Sequence, residues 1–405
     1  MTGEILLIFA AMLLIAVLAE PVATKLHLPF SALLVLLGFV GSEIVTGLGY
    51  DTGLRWDNFS HLILQILVPI LVFEAAFNMN AKVLLKDIVP ILFLAIPAML
   101  IAVLLTGAVI FFGIGYPQSF PWLAALLAGT ILATTDPAAV VAISKCLGVP
   151  ERLTALLEGE SLFNDANAIV LYFLFLGMLL APNETLSISG AVLNFFYHFF
   201  GGLAIGLLCA ALLWPLYRRI DKQLYRGIFS LIAAITSFYL ADNLHTSGIV
   251  AVLSAGLLLG ECHRRHNGQT FIRELWQLNA YIVSALIFLL AGATVTWLMF
   301  ASNYLAMLIG IIAVVCARAL IVYSLVPLLT LLPGTKPLPY SHKHIVMWGG
   351  QRGAVTLALA LALPIELPGE IWFTIQSIAY GVVIFALFVQ APSMPPIIRK
   401  ALRQT

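Results

Sequence analysis

Seven carboxylates and two guanidinium groups fall inside stretches that are otherwise apolar: Glu20, Glu43, Glu74, Asp136, Glu158, Glu160, Asp165, Arg318 and Arg352. A charge in hydrocarbon costs at least ~2.5–3.5 kcal/mol on insertion scales, so each needs a partner or a task. The densest group is Glu158-Gly159-Glu160-Ser161-Leu162-Phe163-Asn164-Asp165. On a helix, Glu160 and Asn164 share one face, and Ser161 and Asp165 share the next. Two carboxylates, a hydroxyl and an amide all offer oxygen, which suits hard cations. No Cys or His joins them, so a soft transition metal is a poor fit. A second group, Thr134-Thr135-Asp136-Pro137, ends in a residue without a backbone donor. The helix is expected to break there and leave carbonyls free for a cation. A carboxylate that binds proton and cation in turn must titrate near the working pH. Free aspartate titrates at ~3.9, and burial of a carboxylate can raise this by up to ~3–5 units. Competition between proton and cation for one carboxylate already couples the two fluxes, and the scaffold then has only to alternate access.

The elements that must carry these groups are membrane helices. The chain has 405 residues, 62% of them hydrophobic and only 10% charged. A soluble domain carries about 25% charged residues. Apolar runs of bilayer length predict 13 spans, at roughly 4–22, 30–48, 60–78, 88–113, 121–145, 153–180, 190–217, 227–241, 246–262, 275–298, 303–331, 344–363 and 371–395. The division around Ala241-Asp242-Asn243 is the least marked. Asp165 and Asp136 then lie about 12 and 15 residues into their spans, near the midplane at ~1.5 Å rise per residue. The first apolar run has no basic residue before it, unlike a cleaved signal peptide, so it is expected to remain as a helix.

Charge asymmetry tests the count. One set of alternate loops, with the C-terminus, holds 17 of the 20 lysines and arginines, from Lys25, Lys82 and Lys86 through Arg218, Arg219, Lys222, Arg264, Arg265 and Arg273 to Arg399, Lys400 and Arg403. The opposite set holds only Arg55, and Arg318 and Arg352 lie within spans. The positive-inside rule predicts an outer N-terminus and a cytoplasmic C-terminus. The net charge of +1 is not pooled into a basic domain, so no nucleic-acid partner is expected. Cys146, Cys209, Cys262 and Cys316 form no CxxC or zinc spacing and read as packing residues.

Two spans are interrupted: the fifth at Thr134–Pro137 and the twelfth at Gly349-Gly350-Gln351-Arg352-Gly353. With spans one to six as one unit, span seven as linker and spans eight to thirteen as a second unit, the breaks occupy equivalent places. The two units then have inverted topology. Paired broken helices at the midplane are the usual frame of a transporter site.

Taken in order, Thr134-Thr135-Asp136-Pro137, Gly159-Glu160-Ser161-Leu162-Phe163-Asn164-Asp165, Ala317-Arg318 and Gln351-Arg352-Gly353-Ala354 resemble the NhaP-type sodium/proton antiporters of the monovalent cation:proton antiporter family. The animal sodium/proton exchangers belong to the same group. The resemblance runs through the whole membrane domain. It implies an all-α homodimer of 13-helix protomers in the cell membrane. Scaffold helices fall in 1–84 and in 183–300, the latter with the linker. Core transport helices fall in 85–182 and 301–397, and 398–405 is a short cytoplasmic tail. It also implies that Asp165 binds cation or proton and that Asn164 completes an Asn-Asp pair. Ser161, Glu160 and a Thr135 oxygen complete or support the sodium site, with Asp136 nearby. Sodium or lithium would exchange for protons, electroneutrally, in pH and sodium homeostasis. The ions are cargo and no cofactor is expected. The chain departs from the animal exchangers in lacking a long regulatory tail, so regulation of that kind is not expected.

Arg318 and Arg352 cannot shed their charge and must find an anion or free carbonyls. Glu160 is expected to pair with Arg352, the arginine at the second break, with Arg318 as the other choice. Glu74 and Glu158 are candidates for ion access from the cytoplasm. Glu20 is expected to snorkel or cap, and Glu43 to lie near the outer interface. Glu261-Cys262-His263-Arg264-Arg265-His266 and His342-Lys343-His344 read as solvated loops, and His198 as a packed or interfacial histidine. The sequon-like Asn183-Glu184-Thr185 on the outer side carries little meaning without a eukaryotic secretory setting. Oxygen ligands alone leave a potassium/proton or unselective monovalent exchanger open as an alternative. An ion channel would need a filter, and no TVGYG-like repeat is present. Gly159-Glu160-Ser161 lacks the x-Gly of a hydrolase nucleophile elbow, so no enzyme activity is expected.

Overall fold

A computed structural model describes residues 2–26, 28–48, 62–114, 120–180, 188–265, 270–331, 338–364, 367 and 369–403. Arg55, Asn183–Thr185, His266 and Lys336 lie outside the described residues. Every described element is helical. In chain order they are α1 (Thr2–Leu26), α2 (Phe30–Gly47), α3 (Ile63–Asn78), a short connecting helix (Ala81–Lys86), α4 (Ile88–Gly113), α5a (Trp122–Ala133), α5b (Ala138–Leu147), α6 (Glu151–Leu180), α7 (Ile188–Arg219), α8 (Gln223–Asn243), α9 (Gly248–Arg265), α10 (Thr270–Thr294), α11 (Trp297–Leu320, continued to Leu331), α12a (Tyr340–Trp348), α12b (Ala354–Leu361) and α13 (Gly369–Phe385, continued to Leu402). Ten of the described helices are long and apolar enough to cross a membrane. The shorter α3, the charged-ended α9 and the broken α12 bring the units to the expected 13 among the described residues.

Several boundaries move. α11 begins at Trp297, inside the stretch assigned to the preceding unit, and α13 runs to Leu402, so residues expected as tail are helical. α9 continues through Arg265, so Glu261–Arg265 is its last turn rather than a solvated loop, and His263 there is buried. His342 and His344 lie within α12a instead of preceding it, with His342 buried and His344 paired with the Tyr323 hydroxyl. At α9 and α13 basic residues favour the C-terminal turn, and at α12a polar residues favour the start, of a helix that hydropathy alone cut short.

Proline shapes the long helices. α3, α4, α11 and α13 each contain one widened π turn, at Ile63–Leu67, Leu94–Ala98, Ile321–Leu325 and Ala386–Gln390. Each lies at or just before Pro69, Pro97, Pro327 or Pro392, where the missing N–H shifts the hydrogen-bond register.

The helices pack in two groups. α2 lies along α10, α9 packs on α3 and α7, and α8 packs on α7 and α9. A satellite core of Phe73, Phe77, Tyr217, Trp276 and smaller residues fills the space among α3, α7, α8, α9 and α10. In the other group α5a packs on α4 and α6, and α11 on α4 and α13. α6 touches both groups, meeting α3 and α9 on one side and α5a on the other.

Candidate functional site

The two broken helices cross at their breaks. The Asp136 backbone N–H donates to Gln351 O at 2.7 Å, and the hydroxyls of Thr134 and Thr356 lie 2.6 Å apart. Gly353 passes so close that a Cβ there would lie 2.1 Å from Asp136 Oδ2, hence the glycine. Two helix N-termini, Ala138 and Ala354, and two C-termini, Ala133 and Trp348, therefore meet in the interior. N-termini favour anions and C-termini favour cations. The side chains follow that rule. Asp136 Oδ1 accepts from the Ala138 N–H at 3.1 Å, and Arg352 Nε donates to Leu132 O in the last turn of α5a at 2.8 Å. Arg352 Nη1 also donates to Gly350 O.

The pairing of Glu160 corrects the sequence expectation. Its partner is Arg318, not Arg352: Nη2 donates to Oε2 at 3.0 Å, and Nη1 donates to Oε1 in a second, parallel bond. Arg318 also donates to Val346 O from Nε at 3.3 Å and Nη2 at 3.0 Å, tying α6 and α11 to α12a. The physical reason lies in the breaks. Arg352 sits where helix-end carbonyls are free and satisfies itself there, which leaves the anion to the arginine on a continuous helix. Both Glu160 oxygens are engaged by the guanidinium.

α6 divides its polar residues as the four-residue spacing requires. Ser161 and Asp165, with Glu158, face a cavity of about 650 Å³. Thr134, Thr135, Asp136 and Gly353 line the same cavity, and so do Glu74, Asn78 and Arg273. Ser161 Oγ donates to Thr135 O at the break. Glu160 and Asn164 face the other way, onto a void of about 20 Å³ shared with Thr106, Arg318 and Arg352. Asp165 Oδ1 and Asn164 Oδ1 are both buried without a hydrogen-bond partner. Orphaned buried acceptors are uncommon and call for an explanation such as an ion or a proton. Among the described residues no cluster of three or more His, Cys, Asp or Glu has metal-site geometry.

The remaining candidates fall at the cavity mouth or away from it. Glu74 Oε1 accepts from Asn78 Nδ2 at 2.6 Å. Glu20 accepts from Tyr281, a cavity-wall residue, at 3.2 Å. Of the groups now at the cavity, sequence reasoning missed Asn78, Arg273, Gln277 and Tyr281. Asn78 and Gln277 lack charge, and Arg273 was counted only as a loop cation. His198 lies in α7, where its carbonyl accepts from the Ser247 N–H in the α8–α9 turn.

Crossed broken helices, an acid and an arginine at their ends, and a second carboxylate facing an open cavity define a secondary transporter for small cations. The profile of the transmembrane sodium/hydrogen exchanger family matches residues 10–400, and the chain belongs to that family. It is 34% identical to the Na(+)/H(+) antiporter ApNhaP of Aphanothece halophytica over 402 residues, 98% of this chain and 74% of that one. It is 28% identical to the Na(+)/H(+) antiporter NhaH of Halobacillus dabanensis over 409 residues, 98% of this chain and 97% of the relative. The structure of the sodium proton antiporter MjNhaP1 from Methanocaldococcus jannaschii superposes with a TM-score of 0.85 at 23% identity, covering 98% and 99% of the two chains. That likeness establishes the antiporter fold.

Proposed function

We propose that this chain exchanges sodium or lithium ions for protons across the cell membrane by alternating access, one cation per proton. The observation that carries this reading is Asp165: a carboxylate with one orphaned oxygen, facing the cavity beside the crossed helix ends. Asp165 takes the proton or the cation. Ser161 Oγ, Thr135 O and Asp136 supply further oxygens to the cation. Asn164 cannot carry a second proton, so one carboxylate exchanges one charge for one charge and net charge does not move. Glu160 and Arg318 hold α6 against α11 and α12a rather than touching the cargo.

The cavity includes Arg273, which falls in the basic set of loops, so the state described faces the cytoplasm under the positive-inside rule. The N-terminus is then outside and the C-terminus inside. Glu74 and Glu158, in the cavity wall, draw cations toward Asp165. α4–α6 and α11–α13 move as the transport core against a scaffold of α1–α3 and α8–α10, with α7 as linker. The protomers pair as a homodimer, and the protein serves pH and sodium homeostasis as a transporter, not an enzyme.

Purified protein in proteoliposomes with an entrapped pH dye tests the reading, with sodium, lithium and potassium offered separately. Proton movement driven by sodium and lithium is expected. Movement driven by potassium alone favours the potassium/proton alternative, and no cation-driven proton movement overturns exchange altogether.

A further inference from the structure

Three residues of α9 form one stripe against α3: Gly256, Gly260 and Arg264, spaced by four. A Cβ on Gly256 would lie 2.9 Å from Ala76 Cβ and 3.1 Å from Phe73 O. One on Gly260 would lie 2.2 Å from Phe77 O. The two helices thus meet backbone to backbone, a small-xxx-small contact. One turn further, Arg264 Nη1 donates to Phe77 O at 3.4 Å and to Asn78 O at 3.3 Å. These are terminal carbonyls of α3, which have no partner within their own helix. Glu261 braces Arg264 from below at 3.4 Å and is itself paired with Arg265 at 2.9 Å. Asn78, the last residue of α3, reaches back to hold Glu74 at 2.6 Å, and both line the cavity. Asn78 Oδ1 and Arg264 Nη2 are buried and unpartnered, so neither bond has a substitute nearby.

We propose that Arg264 is a positioning residue for cation capture: by fixing the last turn of α3 it holds Asn78, and through Asn78 it aims Glu74 into the cavity. The inference rests on the reading that Glu74 lies on the cation path. Electrostatics gives it force. Glu74 sits in the C-terminal turn of α3, where the helix dipole opposes a carboxylate. A guanidinium on the terminal carbonyls offsets that opposition for the carboxylate held one turn back. Arginine meets Glu261 through Nε while Nη1 reaches both carbonyls, whereas the single ammonium of lysine has no second fixed donor for the carboxylate.

The test is the sodium dependence of exchange in proteoliposomes for Arg264→Gln, Arg264→Lys, Asn78→Ala, Glu74→Gln and the double variants Arg264→Gln/Glu74→Gln and Asn78→Ala/Glu74→Gln. Arg264→Gln is expected to raise the sodium KM about three- to tenfold, the scale of one or two lost hydrogen bonds, with kcat within about twofold. Arg264→Lys should recover part of this, and both double variants should match Glu74→Gln alone. If Arg264→Gln fails to insert, Asn78→Ala carries the same comparison with Arg264 in place. An unchanged KM in both variants, or effects that multiply in the Glu74→Gln background, would overturn the positioning role. An unchanged KM in Glu74→Gln itself would instead remove Glu74 from the path, and the proposal with it.

Discussion

Replacing Glu160 by glutamine isolates one buried charge. The Glu160 and Arg318 side chains are 3% and 9% exposed, and two parallel hydrogen bonds join them. Glutamine keeps the shape of the side chain and one acceptor oxygen but removes the anion. Arg318 then retains only Val346 O as a firm acceptor and cannot shed its proton. Removing one partner of a buried pair costs about 3–5 kcal/mol, because the other charge is left uncompensated. With an unfolding entropy of about 2.1 cal/mol/K per residue, a chain of this length should lose roughly 4–6 °C in melting temperature. The loss is larger where helices persist in the micelle, since the entropy of unfolding is then smaller. The assay is thermal unfolding in detergent, following tryptophan fluorescence, for Glu160→Gln, Arg318→Gln and the double variant. The double variant should recover much of the loss, because a buried pair replaced by neutral groups is near break-even. A melting temperature for Glu160→Gln equal to that of the parent would refute the ion-pair role and return Glu160 to the cation ligands. Strictly additive losses would also refute it.

Asp165→Asn should abolish sodium-driven proton movement while leaving the melting temperature unchanged or higher, since it removes a charge whose buried oxygen has no partner. Proton-flux and melting measurements on one preparation check both halves. Exchange should proceed at the same rate with and without an imposed membrane potential, and a strong dependence with no leak would reject one-for-one exchange. Gly353→Ala should lower transport at least tenfold, because the added methyl would sit 2.1 Å from Asp136 Oδ2 and force the breaks apart. At roughly 1–3 kcal/mol for overpacking, it should also lower the melting temperature by a few degrees.

The helix count and the two breaks were legible because the bilayer simplifies the code. A span must be apolar for about 20 residues, and a proline or glycine run in its middle has few readings other than a break. The helix ends were less legible for the converse reason. The last turn of α9 carries Glu261, Arg264 and Arg265, a composition that hydropathy reads as loop. Those charges belong to the helix: they pair with one another and with the exposed carbonyls of α3. A hydropathy window registers their cost in hydrocarbon but not their use at an interface.

The site was legible on one helix and obscure across helices. Four-residue spacing on α6 separates Ser161 and Asp165 from Glu160 and Asn164, and the cavity and the small void fall on those two faces. No spacing could say which arginine Glu160 meets, because the answer depends on what the other arginine finds first. At the crossing, helix polarity decides. The C-terminal turn of α5a offers a free carbonyl, so Arg352 is satisfied without an anion. The N-terminus of α5b offers a free N–H, which holds one Asp136 oxygen. Each helix end therefore offsets part of the charge placed at it. Asp165 lies one helix away, with an oxygen that no backbone end reaches. On the function proposed above, it is the carboxylate of this cluster left for the cargo to satisfy.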